Sequence, residues 1–317
     1  MATYKDIHGF KIQDVSSDPP APFTGQVWYN TTSGALKVDA GSLASAWATG
    51  GNLNAARYHG LGSGTQTAGL FAGGSPQTAD TELYNGSNWT EVNNLNNARF
   101  AVRGGGTQTS TIAAGGRQPS PTETDFTELW NGTSWTEVNN LNTATRKGAA
   151  AASDSTNALY FGGAGHGTNT ESWNGTNWTE VNDLNTSVED NGGAGTGSTS
   201  AISFGGSPYR TQTEDWNGTN WTIVNSMNTA RSAYSGTGIK SAAIQAGGYN
   251  GTNLAVTETY NGTNWTEIND LNTAVRANSG GGTTRASFSA GGITPAGTVV
   301  GTEEFTETGG ISTIETS

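Results

Sequence analysis

Six glutamates recur at nearly constant spacing: Glu82, Glu128, Glu171, Glu214, Glu258 and Glu303. Carboxylates serve as general acids and bases, but that work needs two of them in unlike environments, one protonated and one ionised. Equivalent positions of a repeat give like environments instead. Five arginines recur too, Arg57, Arg99, Arg146, Arg231 and Arg276, with Glu189 in the remaining place. The pattern predicts a structural ring of Arg–Glu pairs, broken at Glu189. The histidines His8, His59 and His166 have no metal-ligand spacing. The absence of cysteine removes thiolate nucleophiles, thiolate metal ligands and disulfides together. No catalytic residue, cofactor or metal site is expected.

Groups able to hold a ligand lie elsewhere. Arg117, His166, Tyr209, Arg210, Tyr249 and Asn250 sit in segments that differ from one repeat to the next. Flat aromatic faces with polar forks beside them suit a sugar or a protein surface. The many Asn-Gly-Thr/Ser triplets match glycosylation sequons, yet Asn-Gly is also what a tight turn needs, and we read them as turns.

The elements that carry these residues follow from the repeat. "NGTNWTEVNDLNT" at 174–186 returns with small changes at 85, 131, 217 and 261. Trp47, Trp89, Trp135, Trp178, Trp221 and Trp265 mark a period of 42 to 46 residues. All but the first follow another aromatic by five residues, with Asn-Gly between, which reads as a hairpin. Upstream of each such hairpin a short apolar run ends in a double glycine, the pairs being Gly73 and Gly74, Gly115 and Gly116, Gly162 and Gly163, Gly205 and Gly206, Gly247 and Gly248, and Gly291 and Gly292. Small-residue stretches precede these. Each unit therefore holds four strand-sized pieces, and no segment keeps a helical apolar period.

Val, Leu, Ile and Phe make up only 46 of 317 residues, but 10 Trp and 9 Tyr replace them, and 47 Gly serve turns and close strands. The formal charge of −12, without a polybasic run, argues against nucleic acid and against an anionic membrane as partners. No signal peptide or apolar run of transmembrane length is evident.

Double glycine, then an aromatic, then Trp followed by "VNNLNNAR" resembles the kelch repeat over 47–306. The resemblance implies an all-β, six-bladed β-propeller with four antiparallel strands per blade. The last unit lacks a Trp strand, while Trp47 has a Trp strand without the rest of its blade. Pairing the Trp47 strand with the C-terminal strands is expected to close the ring. Galactose-oxidase-type kelch enzymes need a cysteine-modified tyrosine, which this chain cannot make, and no enzyme activity is expected. The Pro-rich leader and hairpin resemble leaders of marine bacteriophage and cyanophage virion proteins. The expected organisation is a leader at 1–39 for virion attachment, a propeller at 40–308 and a loose tail at 309–317. The implied function is a virion-associated module that recognises a host cell-surface glycan or protein through loops on one face, docked to other virion proteins. The alternatives are a purely structural virion component and, more weakly, a polysaccharide hydrolase.

Overall fold

The computed structural model describes residues 12–19, 25–119, 122–232 and 236–313, and among them every regular element is a β-strand. The chain divides into two compact units, Met1–Ser45 with Thr306–Ser317, and Ala46–Phe305.

In the first unit, Val27–Asn30 and the start of Ala35–Thr49 form the expected hairpin, with Val27 opposite Val38 and Asn30 opposite Ala35. Gln13–Val15 adds in parallel on the other side. Asp18 ties this unit together, accepting hydrogen bonds from Trp28 Nε1 at 2.9 Å, Asn30 Nδ2 at 2.7 Å and Lys37 Nζ at 3.2 Å. These donors, Asn30 and Trp28 foremost, hold its carboxyl below the usual carboxylate range. The parts of the expected leader at 1–11 and 20–24 lie outside the described residues.

The second unit is built from four-stranded antiparallel sheets in chain order. The first contains Leu61–Thr65, Ala68–Ala72, Thr81–Tyr84 and Trp89–Val92. The second runs from Arg103–Thr107 to Trp135–Val138, the third from Ala149–Asp154 to Trp178–Glu180. The fourth spans Gly192–Gly197 to Trp221–Val224 and the fifth Thr237–Ile239 to Trp265–Ile268. A sixth set joins Ser279–Gly282 and Ala286–Ala290 to 302–305 and then 46–49, parts of two longer strands.

The repeated thirteen residues explain themselves locally. Tyr84 pairs with Trp89, Trp130 with Trp135, and so on through each hairpin. In each connecting turn the Asn side chain accepts two backbone N–H groups, as Asn131 Oδ1 does from Thr133 and Ser134, both at 2.9 Å. Glycine follows at positive φ, for example Gly132 at 93°, where a side chain would be strained.

The same residues also bind one sheet to another. Each repeated Trp is buried and donates its indole N–H to a Thr hydroxyl of the neighbouring sheet: Trp135 to Thr81, Trp178 to Thr127, Trp221 to Thr170, Trp265 to Thr213 and Trp47 to Thr257. Trp89 of the first sheet donates to Thr302 at 2.9 Å, and Gly62 packs so closely on the Gly280 backbone that a Cβ there would sit 2.6 Å from its nitrogen. The Asn of each "LN" pair is a second tie. Asn96 offers its backbone N–H and Nδ2 to Glu128 of the next sheet, at 2.7 and 2.8 Å, and Nδ2 also reaches the Trp135 carbonyl at 3.2 Å. Asn54, Asn142, Asn185, Asn228 and Asn272 repeat the arrangement, the last on Glu303 and Trp47.

One expectation needs correction. The recurrent glutamates primarily accept these Asn N–H groups, and an arginine joins only three of them: Arg57–Glu82, Arg99–Glu128 and Arg231–Glu258, all buried. Arg146 and Arg276 stand five residues after the conserved-looking Leu, not four, so their guanidiniums leave the sheet interface. Thr145 and Val275 take the interior place, as Val188 does before Glu189. The strand Thr302–Thr313 runs through residues 309–313. Residues 314–317 lie outside the described residues.

Candidate functional site

In each repeat the first strand leaves one end of the sheet and the second returns to it, so the segment before the first strand and the segment after the double glycine meet there. A short backbone bridge joins them at five of the six repeats: Tyr58 with Ser75, Phe100 with Arg117, Glu189 with Ser207, Ser232 with Tyr249 and Arg276 with Ile293. The residues in these two columns differ between repeats, while the scaffold around them does not.

Just inside this rim, His59, Ala101, Lys147, Asp190 and Ala277 share a left-handed backbone, with φ between 51 and 63°. Their N–H groups chain them together: His59 to the Ala277 carbonyl at 2.9 Å, Ala101 to His59 at 2.8 Å, Lys147 to Ala101 at 3.3 Å and Asp190 to Lys147 at 2.6 Å. The fifth repeat's equivalent falls within 233–235, outside the described residues. Beneath lies a narrow cavity of about 40 Å³ lined by the first strands of the sheets, including Gly62, Arg103, Gly193 and Gly280. Arg103 is buried and donates Nε to the Gly148 carbonyl and Nη1 to the Val102 carbonyl, both at 3.0 Å.

Charge is gathered here. Arg103, Arg117, Arg146, Lys147, Arg210 and Arg276, six of the chain's 14 basic residues, lie in or beside these connections. Burial holds His59 well below the ordinary histidine range, helped by the positive charges of Arg103, Lys147, Arg146 and Arg276. Lys147 Nζ pairs with Asp190 at 2.7 Å and Arg146 Nε with Glu123 at 3.0 Å. Burial raises the Asp190 carboxyl against the pull of Lys147.

Of the six residues singled out from sequence, the structure brings two together. Tyr209 and Tyr249, from adjacent repeats, meet edge to face with ring centroids 5.7 Å apart. The Arg276 guanidinium lies 4.5 Å from the centre of the Tyr249 ring. Tyr209 is 43% exposed and carries φ of 32°, which is unusual for an aromatic residue. Arg210 lines a separate hollow of about 370 Å³ with Gly165, Gly167, Glu189 and Pro208. His166 is exposed on the 163–169 loop. Arg117 is held by bridges to Phe100 and Glu123 in the second repeat. Asn250 spends its Oδ1 on Thr252 in a local turn.

Sequence reasoning missed Arg103, Lys147 and Asp190, and set Arg276 in the ring of ion pairs rather than at this end. Counting each repeat from its Leu would have found two of the three, since Lys147 and Asp190 share the column of His59. Among the described residues, no group of three His, Asp or Glu could hold a metal ion, and no helix is long and apolar enough to cross a membrane.

No family model and no curated protein matches the chain. Among solved structures, that of YjhT is similar in fold, with a TM-score of 0.68 over 84% of this chain and 99% of YjhT at 10% sequence identity. At that identity the likeness concerns the fold alone.

Proposed function

We propose that the six strand sets are the blades of a closed, kelch-like six-bladed propeller, and that the chain is a non-enzymatic, virion-associated recognition module. It binds a host-surface glycan at the variable end of the sheets. The Tyr209–Tyr249 pair with Arg276 stacked on it carries this reading. The exposed ring of Tyr209, buttressed edge to face by the partly buried Tyr249, is what a sugar ring packs against, and side-chain cations beside it favour an acidic sugar. The repeated ties from Trp to Thr and from Asn to Glu support closure, because the set links the first sheet to the sixth as it links the others. Virion association rests on the resemblance of the leader.

The test is an array of neutral and acidic surface glycans, probed with the wild type and with Tyr209→Ala/Tyr249→Ala. Selective binding of acidic glycans, lost in the variant, is expected. Binding that survives in the variant, or binding of no glycan, sinks the reading. The separate unit of 1–45 and 306–317 favours a docking role as a second reading, in which this part attaches the chain to other virion proteins. Deleting residues 1–24 should then block incorporation into particles, and unchanged incorporation would refute it.

A further inference from the structure

The six junctions between successive sheets are copies of one another, so each is a control for the rest. At the first, Arg57 lies over the Phe71 ring, pairs with Glu82, and donates Nη1 to the Asp80 carbonyl at 2.7 Å. That carbonyl also accepts the Gly73 N–H at 3.0 Å. Arg99 and Arg231 fill the second and fifth junctions in the same way. At the third, Thr145 replaces the arginine and the buried Tyr160 fills the room. At the fourth, Val188 and Ser203 are both small, but Gln212 swings in and donates Nε2 to Glu214 at 3.0 Å, leaving about 10 Å³.

The remaining junction has no such filler. Val275, Ser289 and Gly301 stand where Arg57, Phe71 and Asp80 stand in the first, and they line a cavity of about 320 Å³. Glu303 is present and oriented as its counterparts are, accepting the Asn272 and Thr273 N–H groups at 2.7 and 2.9 Å. The Gly301 carbonyl accepts the Gly291 N–H at 2.9 Å, matching Asp80, and its second lone pair is where an arginine nitrogen would come. Val299 and Val300 supply an apolar wall, and exposed Gly301 marks the side open to solvent.

We propose that this cavity is a binding site for an alkylguanidinium, which takes the place that an arginine of the chain itself takes at three other junctions. The planar cation donates to Glu303 and to the Gly301 carbonyl, and its alkyl stem packs on Val275 and Val299. A carboxylate and a carbonyl in this geometry match the fork of a guanidinium better than a point-like ammonium. The site is argued independently of the glycan reading, although Val275 directly precedes Arg276.

The experiment is a titration of the full chain with n-propylguanidinium, followed by nuclear magnetic resonance and by thermal melting. Saturable binding with a Kd on the order of 1 mM is expected for so small a ligand. Butylurea, of similar shape but uncharged, should bind at least about tenfold more weakly. Val275→Arg should abolish binding by filling the site from within, with a melting temperature equal to or above that of the wild type. Glu303→Gln, which keeps one acceptor, should weaken binding about tenfold or more and covers the case in which Val275→Arg misfolds. A Gly-Arg-Gly peptide distinguishes the source: binding equal to that of n-propylguanidinium points to an arginine side chain presented by a protein, and weaker binding to a free small molecule. No saturable n-propylguanidinium binding by the wild type, or undiminished binding in both variants, overturns the proposal.

Discussion

Trp89 donates its indole N–H to the hydroxyl of Thr302, 213 residues away, at 2.9 Å. The same bond joins Trp178 to Thr127 between two internal sheets, also at 2.9 Å. The bond from Trp89 to Thr302 is therefore made with the same parts as the bonds between neighbouring sheets. Thr302→Val should strand a buried N–H and cost about 1–3 kcal/mol, and Thr127→Val should cost about the same. Urea unfolding of both variants checks this. A negligible loss in Thr302→Val alone would mean that the Trp89 junction is open in solution.

The buried tryptophans themselves carry more. Trp89→Ala or Trp178→Ala should each destabilise by about 3–5 kcal/mol, because the cavity between sheets cannot collapse around a rigid strand. Thermal melts with matched unfolding enthalpies give the comparison.

Glu128 and Arg99 are fully buried, whereas Arg146 and Glu123 are partly exposed. Arg99→Met leaves Glu128 charged and without its cation, at a cost of about 3–5 kcal/mol. Arg146→Met should cost less than about 1 kcal/mol, since water screens that pair. Equal losses in equilibrium unfolding would contradict the one-residue offset between the two arginines.

His59 gives a pH dependence whose sign follows from its depressed pKa. The unfolded chain takes up a proton near pH 6.5, while the folded chain resists until lower pH. His59 therefore contributes stability above about pH 6.5 that is lost as pH falls toward its folded pKa, with a slope of up to about 1.4 kcal/mol per pH unit. His59→Asn, a residue that tolerates the φ of 55°, should flatten this slope. Denaturation midpoints from pH 5 to pH 8 measure the difference, and identical profiles would show that His59 protonates freely when folded.

Binding at the variable end should depend on salt. With Arg103, Arg146, Lys147 and Arg276 close enough to depress His59, affinity for an acidic glycan should fall as ionic strength rises from 0.05 to 0.5 M, on the order of tenfold. Calorimetry in the two buffers tests it. Affinity that does not change with salt would place binding on the tyrosines alone.

The sequence by itself determined the elements. Asn-Gly turns, aromatic pairs across each hairpin and double glycines are local signals, and each sets its own strand ends whatever surrounds it. That is why the all-β repeat was legible. The meeting of Tyr209 and Tyr249 was half legible, since both lie in variable loops of adjacent repeats, but their contact depends on how the sheets turn relative to one another. Only the tertiary structure decided which arginines enter the interior. A shift of one residue from Arg99 to Arg146 reverses the direction of the side chain, because successive residues of an extended chain point to opposite sides. The cavity at Val275 was hidden for a like reason. It is made by Val275, Ser289 and Gly301 from three separated segments, and volume left over between segments is a property of their packing, not of any one of them.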